Sequence, residues 1–273
     1  MPKREALMDA REQKLVRYDV ADHVATITLD RPQVRNALNF PAYAELENAL
    51  KTAQGDIDVR CIVITGADPA FCSGDDVREI MAAPKREGPA PQPHVKHPPT
   101  PAAMAALECD KPMIAAVNGA AIGWGMELAL YCDIRIASEK ATFSEMFIKR
   151  GLICDVGGFY RLPAVVGPSK AAELLFTGEA IDAREALRIG LVGDVVAHET
   201  LMTRAGEMAR KIAANPPLAL RTMKEGLRRA TYGEPRAIGS WAIENIRRLM
   251  GTEDHREGVA AFLEKRAPNF SGR

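Results

Sequence analysis

Neither sign of charge is in excess in this chain: 36 Lys and Arg are matched by 36 Asp and Glu over 273 residues. No global field therefore exists to hold a polyanion such as nucleic acid along the surface, and any anionic ligand has to be met by a local cluster. Long apolar runs are also lacking. The N-terminal MPKREALMDAREQKLVRYDV has charges but no apolar stretch of signal-peptide length, and nothing later approaches a membrane span. A soluble, cytoplasmic protein with no membrane partner is the expectation. Cysteine is scarce: Cys61, Cys72, Cys109, Cys132 and Cys154 are odd in number, unclustered and never spaced as CxxC. They read as reduced core thiols, and with five histidines that show no partner spacing, no metal site is expected.

What is present is a large apolar fraction, 47% of residues, enough for one large core with a tail. Residues 15–29, LVRYDVADHVATITL, alternate apolar and polar about an Ala21-Asp22 turn, the pattern of a hairpin with one buried face. After Pro41 apolar residues recur at helical spacing. The runs 61–65 (CIVIT), 113–117 and 134–137 read as buried strands with helical segments between them, so an α/β fold with right-handed crossovers is predicted. Residues 84–101 change abruptly to a proline-rich composition and read as a loop, either a lid or a disordered segment. Within it His94 and His97 read as solvated, and Lys85 and Arg86 as exposed charges able to meet a phosphate. Beyond about residue 199 helical segments succeed one another. A tail of that kind cannot bury itself on a sheet already covered, so residues 199–273 are expected to pack against another subunit, leaving 1–198 as the core.

Two glycine-bearing turns come after the first two buried strands: GADPAFCSGDDV (66–77) and NGAAIGWGMEL (118–128). Ligands of open α/β sheets bind beyond the carboxyl ends of strands, so the turns are placed to share one site. A dinucleotide fingerprint does not fit, because its spacing from Gly123 needs Gly or Ala at Leu128 and no acidic residue ends the next strand. The amides at the start of the helix near Gly123 have no partners within that helix and carry the positive end of its dipole. Should the amides of Trp124 and Asp75 converge on one oxygen, they form an oxyanion hole, each donor contributing ~3 to 4 kcal/mol at the transition state. The plainer reading is two tight turns packed against helices.

LDRPQVRNALN (29–39), GADPAFCSGDDVREI (66–80), KPMIAAVNGAAIGWGMELALYCDIRIA (111–137) and AFLEKRAPNF (261–270), in that order, resemble the crotonase (enoyl-CoA hydratase/isomerase) superfamily. The resemblance spans about residues 14–270. It implies a spiral of ββα turns with a C-terminal helical trimerisation region, assembled as a homotrimer or dimer of trimers. It also implies an acyl-CoA substrate whose thioester carbonyl is polarised by the amides of Asp75 and Trp124. Arg35 and Ala37, Ser73, the turn Asp75, Asp76, Val77 and Arg78, together with Phe147 and Lys265, fall where family members contact CoA or substrate. CoA enters as part of the substrate, and no separate cofactor is implied.

Glu127 matches the first of two catalytic glutamates of enoyl-CoA hydratases; its other reading is a carboxylate complementing the helix dipole. The second glutamate is replaced by Phe147, which leaves the two-carboxylate water clamp incomplete. Glu145, two residues away, reads as a solvated surface residue. Asp155, in the apolar GLICDVGG, reads as a carboxylate lining a pocket, as in dienoyl-CoA isomerases, acyl-CoA hydrolases and aryl dehalogenases of the superfamily, or else as a cap for a helix starting at Gly157. Glu127 and Asp155 would divide the acid and base duties. The Trp124 ring, where the family commonly has glycine, would narrow the acyl slot. Hydration of an enoyl-CoA leads. Double-bond isomerisation, thioester or carbon–carbon hydrolysis, and a non-catalytic acyl-CoA-binding scaffold come after it.

Overall fold

The computed structural model describes residues 14–81, 100–155, 157–230, 244, 246 and 248–273. Most of the proline-rich segment 84–101 lies outside these residues, with Lys85, Arg86, His94 and His97. Its last two residues do not continue a loop: Pro101 opens helix α2 (Pro101–Glu108), where the missing proline N–H costs nothing, and the Thr100 hydroxyl accepts from the Ala103 amide at 3.3 Å.

The chain starts with antiparallel strands β1 (Val16–Ala21) and β2 (Val24–Leu29). Ala21 pairs with Val24, so the turn is Asp22-His23, one residue later than the alternation suggested. Both have positive φ, 50° and 62°, as a two-residue hairpin turn matching strand twist requires. Helix α1 (Phe40–Gly55) is capped by the Asn39 side chain, which accepts from the Ala42 amide at 3.0 Å, and buries Ala42, Leu46, Ala49, Leu50 and Ala53 along one stripe.

From there the chain winds as a spiral in which each turn gives one strand to each of two sheets. β3 (Cys61–Gly66), β5 (Met113–Val117) and β7 (Ile134–Ser138) join a six-stranded sheet of order β1-β2-β3-β5-β7-β10, ending in β10 (Asp194–Val196). Their successors β4 (Ala70–Cys72), β6 (Ala120–Ile122) and β8 (Thr142–Ser144) form a smaller sheet closed by β9 (Ile181–Asp182). Helix α3 (Trp124–Tyr131) comes directly after β6. After β8 come a 3-10 turn (Met146–Arg150), a π-helical turn (Gly157–Arg161) and helices α4 (Leu162–Val166), α5 (Pro168–Thr177) and α6 (Ala183–Arg188). This is the crotonase architecture, and a helical C-terminal region completes it: α7 (Leu201–Ala213), α8 (Pro217–Ala230) and α9 (Glu253–Glu264). Among the described residues, no helix is long and apolar enough to cross a membrane.

The central strands β3, β5 and β7 of the large sheet are buried on both faces, which is why they read as continuous apolar runs. Ile62, Ile64, Met113 and Ala115 face α1, α2 and α3, while Cys61, Val63, Ile114 and Ala116 face the other way. The helix covering that second face is α7, through Leu201, Ala205, Ala209 and Ala213. The expectation that nothing beyond residue 199 could bury itself on the sheet is thus corrected for α7: one face was open, and a stripe of three alanines at four-residue spacing lets the helix approach it. Beyond α7, Lys224 of α8 is buried, its ammonium donating to the Lys111 carbonyl at 2.6 Å and pairing with Asp133 at 2.8 Å. Arg60 donates to the Phe270 carbonyl at 2.6 Å, drawing the C-terminal segment back to the core. Enlarging the alanine stripe by Ala209→Leu is expected to cost ~1–3 kcal/mol by overpacking; a urea transition unmoved from wild type would show that α7 is not part of the core.

Candidate active site

The two glycine-bearing turns meet because β4 and β6 are parallel neighbours, with Ala70 opposite Ala120 and Cys72 opposite Ala121. The segment leaving β4, Ser73-Gly74-Asp75, therefore lies beside the segment leaving β6, Gly123-Trp124. A side chain at Gly74 (φ +86°) would put its Cβ 2.7 Å from the Ile122 carbonyl oxygen and 3.2 Å from the Trp124 amide nitrogen, so only glycine allows this approach. Gly125 is pressed harder still, since a Cβ there would lie 1.9 Å from the Cys72 carbonyl oxygen.

Asp75 bridges Leu38 in parallel fashion: the Leu38 amide donates to the Gly74 carbonyl and the Asp76 amide to the Leu38 carbonyl, both at 2.8 Å. That pattern leaves the Asp75 amide aimed away from Leu38. Neither it nor the Trp124 amide donates to a backbone acceptor among the described residues. Both residues line a cavity of about 570 Å³, whose walls include Tyr43, Phe147, Ile153 and Asp155. Both also line a crevice of about 30 Å³, with Ser73, Gly74, Gly123 and Phe147, near the size of one water. The Trp124 ring is buried, packed edge-to-face on Tyr43 (centroids 4.8 Å) and Tyr131 (6.2 Å).

Two residues that the sequence did not mark hold this frame. The Tyr43 hydroxyl donates to the Asp75 carboxylate at 2.5 Å, and burial, then the Asp75 charge, push the phenol far above its ordinary value. Buried Arg31 donates to the Ala37 carbonyl at 2.6 Å and pairs with Asp76 and Glu79, each at 3.1 Å. Arg31 precedes a proline in a turn, and Tyr43 is one polar tip on an amphipathic helix, so neither carried a local signal.

Of the residues matched to CoA contacts, Arg35 is exposed with positive φ (55°), and Ala37 is buried. The Ser73 hydroxyl donates to the Val34 carbonyl at 3.2 Å, tying the 31–37 turn to the crevice. The Asp76 carboxylate is committed inside the protein, to Arg31 and to the amides of Arg78 (3.2 Å) and Glu79 (3.3 Å); Val77 and Arg78 themselves are exposed. Lys265 is exposed in the C-terminal segment and is not among the residues lining this cavity.

The acidic residues fall in three different settings. Asp155 is half-buried on the cavity wall. Glu127 lies behind it, fully buried, with its carboxylate accepting from the amides of Asp155 (2.8 Å) and Gly158 (3.0 Å) and from the Tyr131 hydroxyl (3.2 Å); the Gly157 amide contributes as well. Burial raises the proton affinity of Glu127, these amides pull it back, and the Asp155 charge adds to the rise. The paired glycines now have a reason: a Cβ on Gly157 would lie 2.3 Å from a Glu127 carboxylate oxygen.

Glu145 is the correction. Far from solvated, it is 1% exposed, and neither carboxyl oxygen has a hydrogen-bond partner among the described residues. It stands between the end of β8 and the 3-10 turn with a non-helical backbone (φ −84°, ψ 60°), so its side chain is not yet swung outward by the turn. Burial first, and the Glu127 charge second, raise its proton affinity well above the ordinary glutamate value. A buried polar group left unpaired costs ~1–3 kcal/mol.

The sequence profile of the family described as enoyl-CoA hydratase/isomerase matches residues 19–273. Relatives include (E)-benzylidenesuccinyl-CoA hydratase of Thauera aromatica, 37% identical over 94% of this chain and 99% of its own length. Two Escherichia coli proteins are each 38% identical over 92% of this chain: 2,3-dehydroadipyl-CoA hydratase, covered over 96% of its length, and 1,2-epoxyphenylacetyl-CoA isomerase, covered over 95%. Among solved structures, enoyl-CoA hydratase from Bacillus anthracis superimposes with a TM-score of 0.86 at 34% identity, over 95% of this chain and 100% of that one.

The setting of Glu145 fixes a pH dependence of stability. The folded state binds its proton more tightly than the unfolded chain does. The stability it supports is therefore complete below the ordinary glutamate pKa and declines as pH rises through the higher folded value. Glu145→Gln is expected to gain on wild type progressively as pH climbs through that window, as read from urea transitions at a series of pH values; parallel curves for the two proteins would contradict the assignment.

Proposed function

This chain belongs to the enoyl-CoA hydratase/isomerase family of enzymes, and within that family we propose that it hydrates an α,β-unsaturated acyl-CoA. The observation that carries the reading is the sharing of one cavity by Asp75, Trp124 and Asp155. A thioester oxygen in the crevice between the amides gains stabilisation as the enolate forms, because fixed donors in a site shielded from water need not reorganise. Water adds at Cβ with its proton passing to Asp155, which returns a proton to Cα of the enolate. Glu127 acts through Asp155: by accepting the Asp155, Gly157 and Gly158 amides it fixes the loop from which the Asp155 side chain projects. CoA arrives with the acyl group, and Arg35, Ser73, Arg78 and Lys265 are the proposed contacts to it.

Isomerisation is the second reading, favoured by Phe147 on the cavity wall, an apolar face where a water would otherwise be held. The same enolate then takes its proton back at a different carbon. Relatives named as hydratases and as an isomerase stand at nearly the same identity, so chemistry has to decide. Incubation with crotonyl-CoA is expected to give a product heavier by one water, and Asp155→Asn to lower kcat by ~10²–10⁴-fold with KM little changed. No turnover of crotonyl-CoA alongside conversion of a 3-enoyl-CoA to its 2-enoyl isomer would replace hydration by isomerisation.

The assembly belongs to the proposal too. α8 and α9 expose Met223, Val259 and Leu263, apolar area of the kind that partner subunits cover. Light scattering is expected to return three or six times the 29.7 kDa chain mass; a monomer at micromolar concentration would remove the trimer from the reading.

A further inference from the structure

Glu145 serves none of the steps above, yet the fold keeps it buried without a partner among the described residues, and a second space accompanies it. A chamber of about 130 Å³ is lined by Glu145 and otherwise by apolar side chains and a thiol, among them Ile148, Phe159, Leu175 and Phe176. Four of its wall residues, Phe147, Leu152, Ile153 and Cys154, also line the large cavity that holds Asp155. Phe147 borders the crevice between the amides as well, its ring 3.7 Å from where a Cβ on Gly123 would stand. Phe147 is therefore a wall common to the large cavity, the crevice and this pocket, whose outer rim, Ile153, Phe159 and Phe176, is exposed.

The chemistry of the chamber is set by its charges. Glu127 is held as an acceptor by backbone amides and a tyrosine hydroxyl, whereas no described donor stabilises a second negative charge at Glu145. Two buried carboxyl groups that repel each other, with the donors all on one, place the proton on the other. Cys154 has its thiol pushed up to about 12 by burial and by the neighbouring acids, so it adds no charge. Tyr131 is likewise raised by burial and by the Glu127 charge and stays neutral. Glu145 then carries one O–H donor and one carbonyl acceptor, unpartnered among the described residues and buried just beneath an apolar wall.

We propose that this chamber is a distal acyl subsite in which Glu145, as a neutral carboxylic acid, receives an uncharged hydrogen-bonding group, such as a hydroxyl, at the far end of the acyl chain. Resting on the acyl-CoA reading above, this deepens it from an enoyl-CoA to one with a polar, uncharged terminus. An alkyl end gives the acid no partner. A terminal carboxylate brings a further negative charge up to an acid that already feels the Glu127 charge. A hydroxyl satisfies the acid, and sites built to pair a buried polar group discriminate strongly against analogues lacking it.

The test needs no turnover. Equilibrium affinities of hexanoyl-, octanoyl- and decanoyl-CoA are compared with those of their ω-hydroxy and ω-carboxy counterparts, for wild type, Glu145→Gln and Glu145→Leu. Wild type is expected to bind the ω-hydroxy member about tenfold more tightly than the alkyl member at the length that reaches the chamber. The ω-carboxy member is expected to bind more weakly than either. Glu145→Gln keeps the hydroxyl preference through its amide, and Glu145→Leu abolishes or reverses it. Equal affinities at all three lengths in wild type, a preference for the ω-carboxy series, or a hydroxyl preference that persists in Glu145→Leu would each overturn the subsite. The wild-type ratios suffice if the leucine variant fails to fold. Absence of binding by every thioester would instead remove the acyl-CoA reading on which the subsite rests.

Discussion

The parallel pairing of β4 with β6 is the constraint on which the rest of the site depends. It brings two strand ends level, so that the main chain after Cys72 and the main chain after Ile122 run within contact of one another. Glycine at 74 and 125 is a result of that closeness, whereas glycine at 123 answers to a positive φ. At 74 and 125 a Cβ would collide with a neighbouring carbonyl, and at 123 φ is +54°. Around this contact the protein builds outward. Asn36 and Asn118 side chains bond the carbonyl of Ala70 from two directions, at 2.6 and 3.3 Å, and Arg31 clamps the turn beyond it through Asp76 and Glu79. In the proposed reaction, main-chain amides held by this many fixed partners would not have to move as charge develops, which is where preorganised donors gain their advantage over water.

A second consequence concerns the acids. The helix that supplies the Trp124 amide also carries Glu127 one turn on, and Glu127 accepts the amides of the loop bearing Asp155. The Trp124 amide and the Asp155 side chain are thus linked through a single buried carboxylate, against which the two glycines at 157 and 158 are packed. Glu145 completes a trio of acids in settings that differ sharply: one on the cavity wall, one saturated with donors, one with no described donor. Such asymmetry is how one apolar region holds several carboxyl groups without requiring all of them to be charged. Phe147 stands among them as an apolar wall, so this pocket is organised differently from one in which two glutamates flank a single water.

Much of the frame was legible from sequence. Strands buried on both faces read as apolar runs, the α/β alternation came from those runs and the helical segments between them, and the motif order pointed to the spiral and to the family. The errors have local causes. The hairpin turn was placed one residue early because alternation marks which residues face the core, not which two adopt positive φ. Helix α7 was assigned to an outer tail because a sequence does not show that one face of a sheet is still open. Glu145 reads as solvated because a helix there would turn it aside from position 147, and its burial depends on where the chain leaves β8 and begins to coil. Arg31 and Tyr43 act through partners 45 and 32 positions away, separations at which no local pattern exists.

By itself the sequence determined the elements, their alternation, and the glycines and acidic side chains available to the site, because periodicity and turn chemistry are local properties of the chain. Only the tertiary structure decided which acid faces the cavity, which is spent on backbone amides and which is left without a described partner. Those outcomes depend on distances between segments that meet through sheet pairing and packing, and the free energy of a buried carboxyl group is set by those neighbours rather than by its own place in the chain.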